Sequence, residues 1–151
     1  MRKIILLILL IVSMSISTFS ADKKFEKYSG GSITYNEMIS SPKVVLFLWT
    51  TSCPYCREEL KKINLEPNIS QYAKFYFVDL GEERADVGRL AKSLKLKGHI
   101  VENIILDKDI DIAERFSVVG VPTFIYLRNG KIVSQGYYFD ESALKNIFGN
   151  E

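Results

Sequence analysis

The chain has 151 residues, of which 47% are hydrophobic, 25% charged and 12% aromatic, enough length and apolar content for one domain with its own core. That composition excludes a disordered tail, a collagen-like fibre and a polytopic membrane protein. The formal net charge is +2 and Arg2 and Lys3 account for the surplus, so the rest of the chain is neutral and offers no electrostatic case for nucleic acid or anionic lipid.

In chain order, Arg2 and Lys3 are followed by an apolar run from Ile4 to Val12 and then by a small, polar stretch ending at Ser20 and Ala21. This is the order of a secretory signal peptide over residues 1–21, with the remainder, 22–151, as the folded domain. An uncut N-terminal anchor is the alternative, although the continuous apolar run falls short of the roughly 20 residues a spanning helix needs. Either way the domain is expected outside the cytoplasm, in a periplasm, at the cell envelope or secreted. No lipidation cysteine follows the apolar run at the end of this segment, which argues against a lipid anchor.

The body alternates strands and helices. Residues 22–43 are ambiguous apart from a turn at Gly30-Gly31. Val44 to Trp49 is a continuous apolar run, as in a strand buried on both faces. Pro54 suits a first helical position, Leu60 and Ile63 supply an apolar stripe, and Pro67 marks the stop. Phe75 to Val78 is a second strand. Val87, Leu90, Ala91 and Leu94 have the spacing of an amphipathic helix, which Gly98 is expected to close. Ile104 to Leu106 is a short strand, and Asp109 is expected to cap a short helix carrying Ile112, Ala113 and Phe116. Asn129-Gly130 is a strong hairpin turn between Thr123 to Leu127 and Ile132 to Ser134. Asp140 can cap a last helix with Leu144, Ile147 and Phe148 inward. The sum is an α/β fold whose central β-sheet is mixed and flanked by helices.

The two cysteines are too few to staple a fold. Cys53-Pro54-Tyr55-Cys56 places them where the first buried strand hands over to a helix. A disulfide closing four residues contributes only about 2 kcal/mol by loop entropy, against about 4.7 kcal/mol for a hundred-residue loop. A reversible redox switch explains the pair better than a staple does. Free N–H groups and the helix dipole at that end favour a thiolate. Cys53 at the cap is expected to be the exposed nucleophile and Cys56, one turn in, the shielded resolving thiol. A structural disulfide, a Cu(I) site and an idle buried pair remain open. Zinc is disfavoured because His99 is the one histidine in the chain.

Trp49-Thr50-Thr51-Ser52-Cys53-Pro54-Tyr55-Cys56, followed by Gly120-Val121-Pro122-Thr123-Phe124, resembles the thioredoxin superfamily over about residues 30 to 148. The resemblance implies a thioredoxin-like fold in which Pro122 is a cis-proline facing the disulfide and the Val121 backbone pairs with the substrate chain. An extra helix and strand, roughly residues 83 to 106, precede that proline, which is similar to the extracytoplasmic TlpA/ResA-like branch. Phe47 occupies the position of the buried Asp of cytosolic thioredoxins. Glu59 stands where that branch carries a Glu. It lies three residues after Cys56 and shares its helix face, so a buried Glu59 could exchange protons with that thiol, while a solvated Glu59 would only assist the helix start.

Tyr55 is expected on the lip of the site, Trp49 half-buried beside it, His99 on the surface, and Tyr137-Tyr138-Phe139 packing the last strand and helix. Thr50 stands three residues before Cys53 as in peroxiredoxins, but Leu46 replaces the proline of that motif. The resemblance implies a thiol–disulfide oxidoreductase with catalytic residues Cys53, Cys56 and Glu59, substrate contacts from Trp49, Pro54, Tyr55, Val121 and Pro122, a Cys53–Cys56 disulfide, no cofactor and no resident metal. Expected partners are protein thiols and disulfides, apocytochrome c among the candidates in the reducing direction, and a membrane-bound electron donor. An oxidant or isomerase, or a Cu(I)-binding chaperone, are the alternatives.

Overall fold

The structure, a computed structural model, describes residues 22–149; the expected signal segment at 1–21 lies outside them. Seven strands form one sheet in the order β2-β1-β5-β4-β3-β6-β7. They are β1 (Lys24–Lys27), β2 (Ser32–Thr34), β3 (Lys43–Trp49), β4 (Lys74–Leu80), β5 (Ile104–Asp107), β6 (Thr123–Arg128) and β7 (Lys131–Gly136). The central trio β3, β4 and β5 is parallel, and β1, β2, β6 and β7 each run antiparallel to their neighbours, so the sheet is mixed as expected.

β3 explains the rest of the packing. Its side chains alternate between two cores, one on each face of the sheet. Val45, Phe47 and Trp49 face one core, together with Phe77, Phe124 and the buried sides of α2 (Pro54–Asn64), α3 (Arg84–Ser93) and α6 (Glu141–Phe148). Val44, Leu46 and Leu48 face the other, under α1 (Tyr35–Met38) and α5 (Asp111–Arg115). A strand with two buried faces has no polar side to show, hence the unbroken apolar run. Phe47 stacks on Phe124 at 4.4 Å between ring centroids and meets Phe77 edge-on at 6.3 Å.

The ambiguous segment 22–43 forms the β1–β2 hairpin, turning at Gly30-Gly31 with φ of 107° and 75°. It then enters α1 through a reciprocal cap in which the Thr34 hydroxyl accepts the Glu37 N–H and the Glu37 carboxylate accepts the Thr34 N–H. That Thr-x-x-Glu pattern was the readable signal for a helix start. The expected helix–strand insertion is present as α3, α4 (Gly98–Val101) and β5, placing β5 between β4 and β1. Arg84 at the start of α3 ties it to the hairpin through the carbonyls of Lys27 and Tyr28 and the carboxylate of Glu26.

Two expected boundaries are corrected. Gly98 does not close α3; the chain turns at Lys95, with φ of 51°, and Gly98 opens α4. Asp109 does not cap α5. Ile110 takes a left-handed φ of 54°, and the buried Asp107 carboxylate accepts the N–H groups of Asp111 and Ile112 at 3.1 and 2.8 Å. Asp109 instead pairs with Lys23 at the surface. Asp140 caps α6 as expected, accepting the Ser142 N–H at 2.8 Å.

Truncating Phe47 to Ala removes the ring that joins β3, β4 and β6. Urea unfolding is expected to show a loss of about 3–5 kcal/mol, the usual range for a fully buried Phe.

Candidate active site

β3 ends at Trp49, and a four-residue turn carries the chain to Pro54, the first residue of α2. Cys53 is the helix cap. Its Sγ accepts the Cys56 N–H at 3.0 Å, and the two cysteines form a disulfide. Proline at the first helical position loses no hydrogen bond there, because that N–H has no intrahelical partner. The two sulfurs differ in access: Cys53 is half-buried, whereas Cys56 is fully buried in the core beside Trp49 and Leu60.

The turn is braced from two sides. Thr51 donates both its backbone N–H and its hydroxyl to Glu82, each at 2.5 Å. Its carbonyl accepts from Arg57 of α2 at 2.8 and 2.6 Å. The residue two before the cysteine is therefore tied both to the β4–α3 loop and to the helix it introduces.

Across the disulfide, Val121–Pro122 is a cis peptide bond, and the Val121 carbonyl oxygen stands 3.8 Å from Cys53 Sγ. Beside it lies a hollow of about 240 Å³ lined by Tyr55, Gly120, Val121, Pro122, Tyr137 and Tyr138. A second hollow of about 230 Å³ is lined on its far side by Thr50, Leu80, Ile110, Val118 and Val119. Neither lining includes a charged side chain. A larger hollow of about 490 Å³ beside Tyr28, Arg84 and Gly88 does not touch the cysteines.

Glu59 is buried, with 3% of its surface exposed, so the solvated alternative is set aside. Its Oε2 accepts the Phe139 N–H at 2.6 Å and its Oε1 accepts Lys62 Nζ at 2.7 Å. The carboxylate thus fastens α2 to the segment before α6, one turn from Cys56. Trp49 is fully buried rather than half-buried, because both the sheet and α2 cover it; a substrate would meet only the residues it supports. Tyr55 is on the lip, 74% exposed. Tyr137 and Tyr138 are also exposed, and only Phe139 of that trio packs inward. His99 is half-buried, its Nε2 3.4 Å from the Ile63 carbonyl oxygen.

Asp79 and Glu82 escaped the sequence reading. Asp79 is fully buried on β4, opposite Trp49 in the strand register, and neither of its oxygens makes a hydrogen bond of normal geometry; Trp49 Nε1 also lacks a partner. Burial, followed by the neighbouring Glu82 carboxylate, pushes the Asp79 pKa from 3.8 up to about 8. The available signal was an acid at the carboxyl end of the otherwise apolar strand Phe75 to Leu80, the end at which α/β sheets place their sites.

Residues 38–150 match the family model described as a thioredoxin-like domain. The chain belongs to that family. No curated protein sequence matches it. Several solved structures share this thioredoxin-like fold. A secreted Mycobacterium tuberculosis disulfide oxidoreductase homologous to E. coli DsbE is 16% identical, with 83% of this chain and 92% of that one covered at a TM-score of 0.67. StoA from Bacillus subtilis is 22% identical, with 83% and 95% covered at 0.67. The thioredoxin domain of a thiol-disulfide oxidoreductase from Bacteroides vulgatus is 21% identical, with 89% and 95% covered at 0.66.

The raised Asp79 pKa makes folding pH-dependent. Below about pH 4 the acid is protonated whether the chain is folded or not, and its neutral form suits the core. Between about pH 4 and 8 only the unfolded chain releases the proton, so stability falls as pH rises, by at most about 1.4 kcal/mol per pH unit. Urea titrations at pH 5 and 7.5 are expected to show this loss in the native protein and a much smaller one in Asp79→Asn.

Proposed function

We propose that this thioredoxin-like protein is an extracytoplasmic thiol–disulfide oxidoreductase acting as a reductant of protein disulfides. The observation that carries the reading is the asymmetric disulfide at the start of α2: one sulfur half-exposed at the cap, the other buried one turn in. On reduction, the cap N–H that reaches Cys53 Sγ and the helix dipole favour a thiolate there. That thiolate attacks a substrate disulfide and forms a mixed disulfide while the first substrate thiolate leaves. Cys56 then gives up its proton and attacks Cys53 Sγ, releasing the second substrate thiolate and restoring the internal disulfide. Two electrons pass to the substrate, and a membrane-bound dithiol donor returns them.

Glu59, buried one turn beyond Cys56 on the same helix, is the proposed proton partner of that thiol. The Val121 backbone, Pro122, Pro54 and Tyr55 are the proposed substrate contacts, supported by the uncharged hollow that Val121, Pro122 and Tyr55 help to line and by the exposure of Pro54 beside Cys53. Such a rim suits a protein segment with apolar side chains around its cysteine, apocytochrome c among the candidates, better than a small anionic thiol. The extracytoplasmic assignment rests on Arg2, Lys3 and the apolar run from Ile4 to Val12, read as a signal peptide over 1–21 preceding the domain at 22–151.

Two measurements test this. Cys56→Ala leaves the attacking thiol without its resolving partner, so the variant is expected to accumulate as a mixed disulfide with substrate proteins in cells and to lose insulin-reducing activity. A variant that traps nothing, in a protein that binds Cu(I) tightly through both cysteines, would replace the exchange mechanism with copper carriage. Equilibration in defined dithiol buffers gives the direction of electron flow. A potential near −270 mV, roughly that of thioredoxin, is expected, and one near −120 mV, roughly that of a strong oxidant, would reverse the assignment to disulfide donor.

A further inference from the structure

Among the groups that the thiol chemistry leaves unused, Asp79 is the least accounted for. Its carboxyl is fully buried, neither oxygen makes a hydrogen bond of normal geometry, and the Glu82 backbone N–H gives it only a minor favourable contact; an ionised carboxylate in that position is far more costly than a neutral acid. The charged groups that act on it are themselves acidic: Glu82 on the loop after β4, and more weakly Asp107 of β5. The cations on neighbouring elements are engaged elsewhere. Arg57 of α2 bonds the Thr51 carbonyl, Lys62 of α2 holds Glu59, and Arg89 of α3 pairs with Asp86. What β3, β5 and α3 otherwise contribute to this face is apolar, Leu106, Val87 and Leu90, apart from the indole N–H of Trp49, which lies opposite Asp79 in the strand register and makes no hydrogen bond. Glu82, in turn, has both its oxygens committed to Thr51, two residues before Cys53.

From this arrangement we infer that Asp79 and Glu82 share one proton, and that the acid pair is a positioning device that fixes the turn presenting Cys53. With a proton between them, Asp79 is the donor and Glu82 remains an anion accepting both Thr51 bonds. The missing donor at Asp79 and the adjacent carboxylate are then two halves of one arrangement. When the proton leaves to solvent, two negative charges stand side by side. Asp79 is held in the core by β4, whereas Glu82 lies on a loop, so Glu82 is the one that withdraws. Thr51 then loses its two bonds to Glu82 and keeps the Arg57 contact to its carbonyl. The pKa of about 8 places this release just above neutrality. The consequence for catalysis rests on the redox reading of Cys53; the shared proton does not.

The test uses the whole chain in two redox states. In the oxidised protein, carboxyl-carbon NMR is expected to show Asp79 titrating near pH 8, and the Thr51 amide resonance moving with the same midpoint. In the reduced protein, the rate of Cys53 alkylation is expected to show a second inflection at that pH, beyond the one from its own thiol. Asp79→Asn, whose amide donates to Glu82 at every pH, is expected to abolish both the Thr51 step and the second inflection. Titration of Asp79 among the ordinary carboxylates below pH 5, or a Thr51 amide that ignores it, would overturn the shared proton even if the variant failed to fold. An Asp79 step without the second inflection in alkylation would overturn the positioning role. A chain with both responses that exchanges no disulfide would support the acid pair and sink the oxidoreductase reading alone.

Discussion

The bond from the Cys56 N–H to Cys53 Sγ, 3.0 Å long, reconciles two demands that compete in most proteins. A helix start needs acceptors for its free N–H groups, and Ser, Thr, Asp or Asn normally supplies one. A nucleophilic thiol needs donors that favour its charged form. Using the sulfur as the cap meets both, and it requires the helix to begin at one fixed place. That place is set by β3, which is buried on both faces and ends under α2, and by the double brace on Thr51. The two cores, the strand order and the turn all serve to hold one sulfur at the end of one strand.

Much of this was legible in the sequence because it depends on local pattern. The apolar run at 44–49 announced a strand with two buried faces, Cys-Pro-Tyr-Cys announced a helix starting at its first cysteine, and Asn129-Gly130 announced the hairpin that closes the sheet. Both residues of that turn adopt positive φ, 49° and 74°, which few residue types tolerate. The misreadings have a common cause: several residue types can satisfy the same local need, and tertiary contacts choose among them. Lys95 and Ile110 took left-handed conformations where a glycine and an aspartate looked better suited. Tyr137 and Tyr138 looked like core residues and line the rim, because the chain there bends outward before α6. The least legible features were those joining distant segments. Nothing local ties Glu59 to Phe139, Glu82 to Thr51, or Asp79 to Trp49; these meet only once the sheet has formed.

The buried polar groups show where local rules were relaxed. Two oxygens of Asp79 and one nitrogen of Trp49 lie in the core without partners, in a fold whose other buried carboxylates, Glu59 and Asp107, each accept backbone N–H groups. Unsatisfied groups destabilise, and these cluster at the strand ends beside the cysteines rather than being scattered through the core. Consistency across levels of structure breaks at the site, which is where function is expected to override stability.

The outer strand β7 has a consequence of its own. It is six residues long, pairs on one side with β6, and leaves Ile132 and Val133 half exposed. The opposite margin of the sheet, β2, has only three residues. An exposed edge of that length is a template on which another chain can add a strand, and at high concentration or on heating it is the natural route to self-association. Two features blunt it: Lys131 at its start, and an irregularity in the ladder at Tyr126 and Leu127 that disturbs the straight row of backbone groups. Copies joined there would widen the sheet sideways. The disulfide sits at the end of β3, two strands inward, so such a pair would leave the sulfur open to its partners.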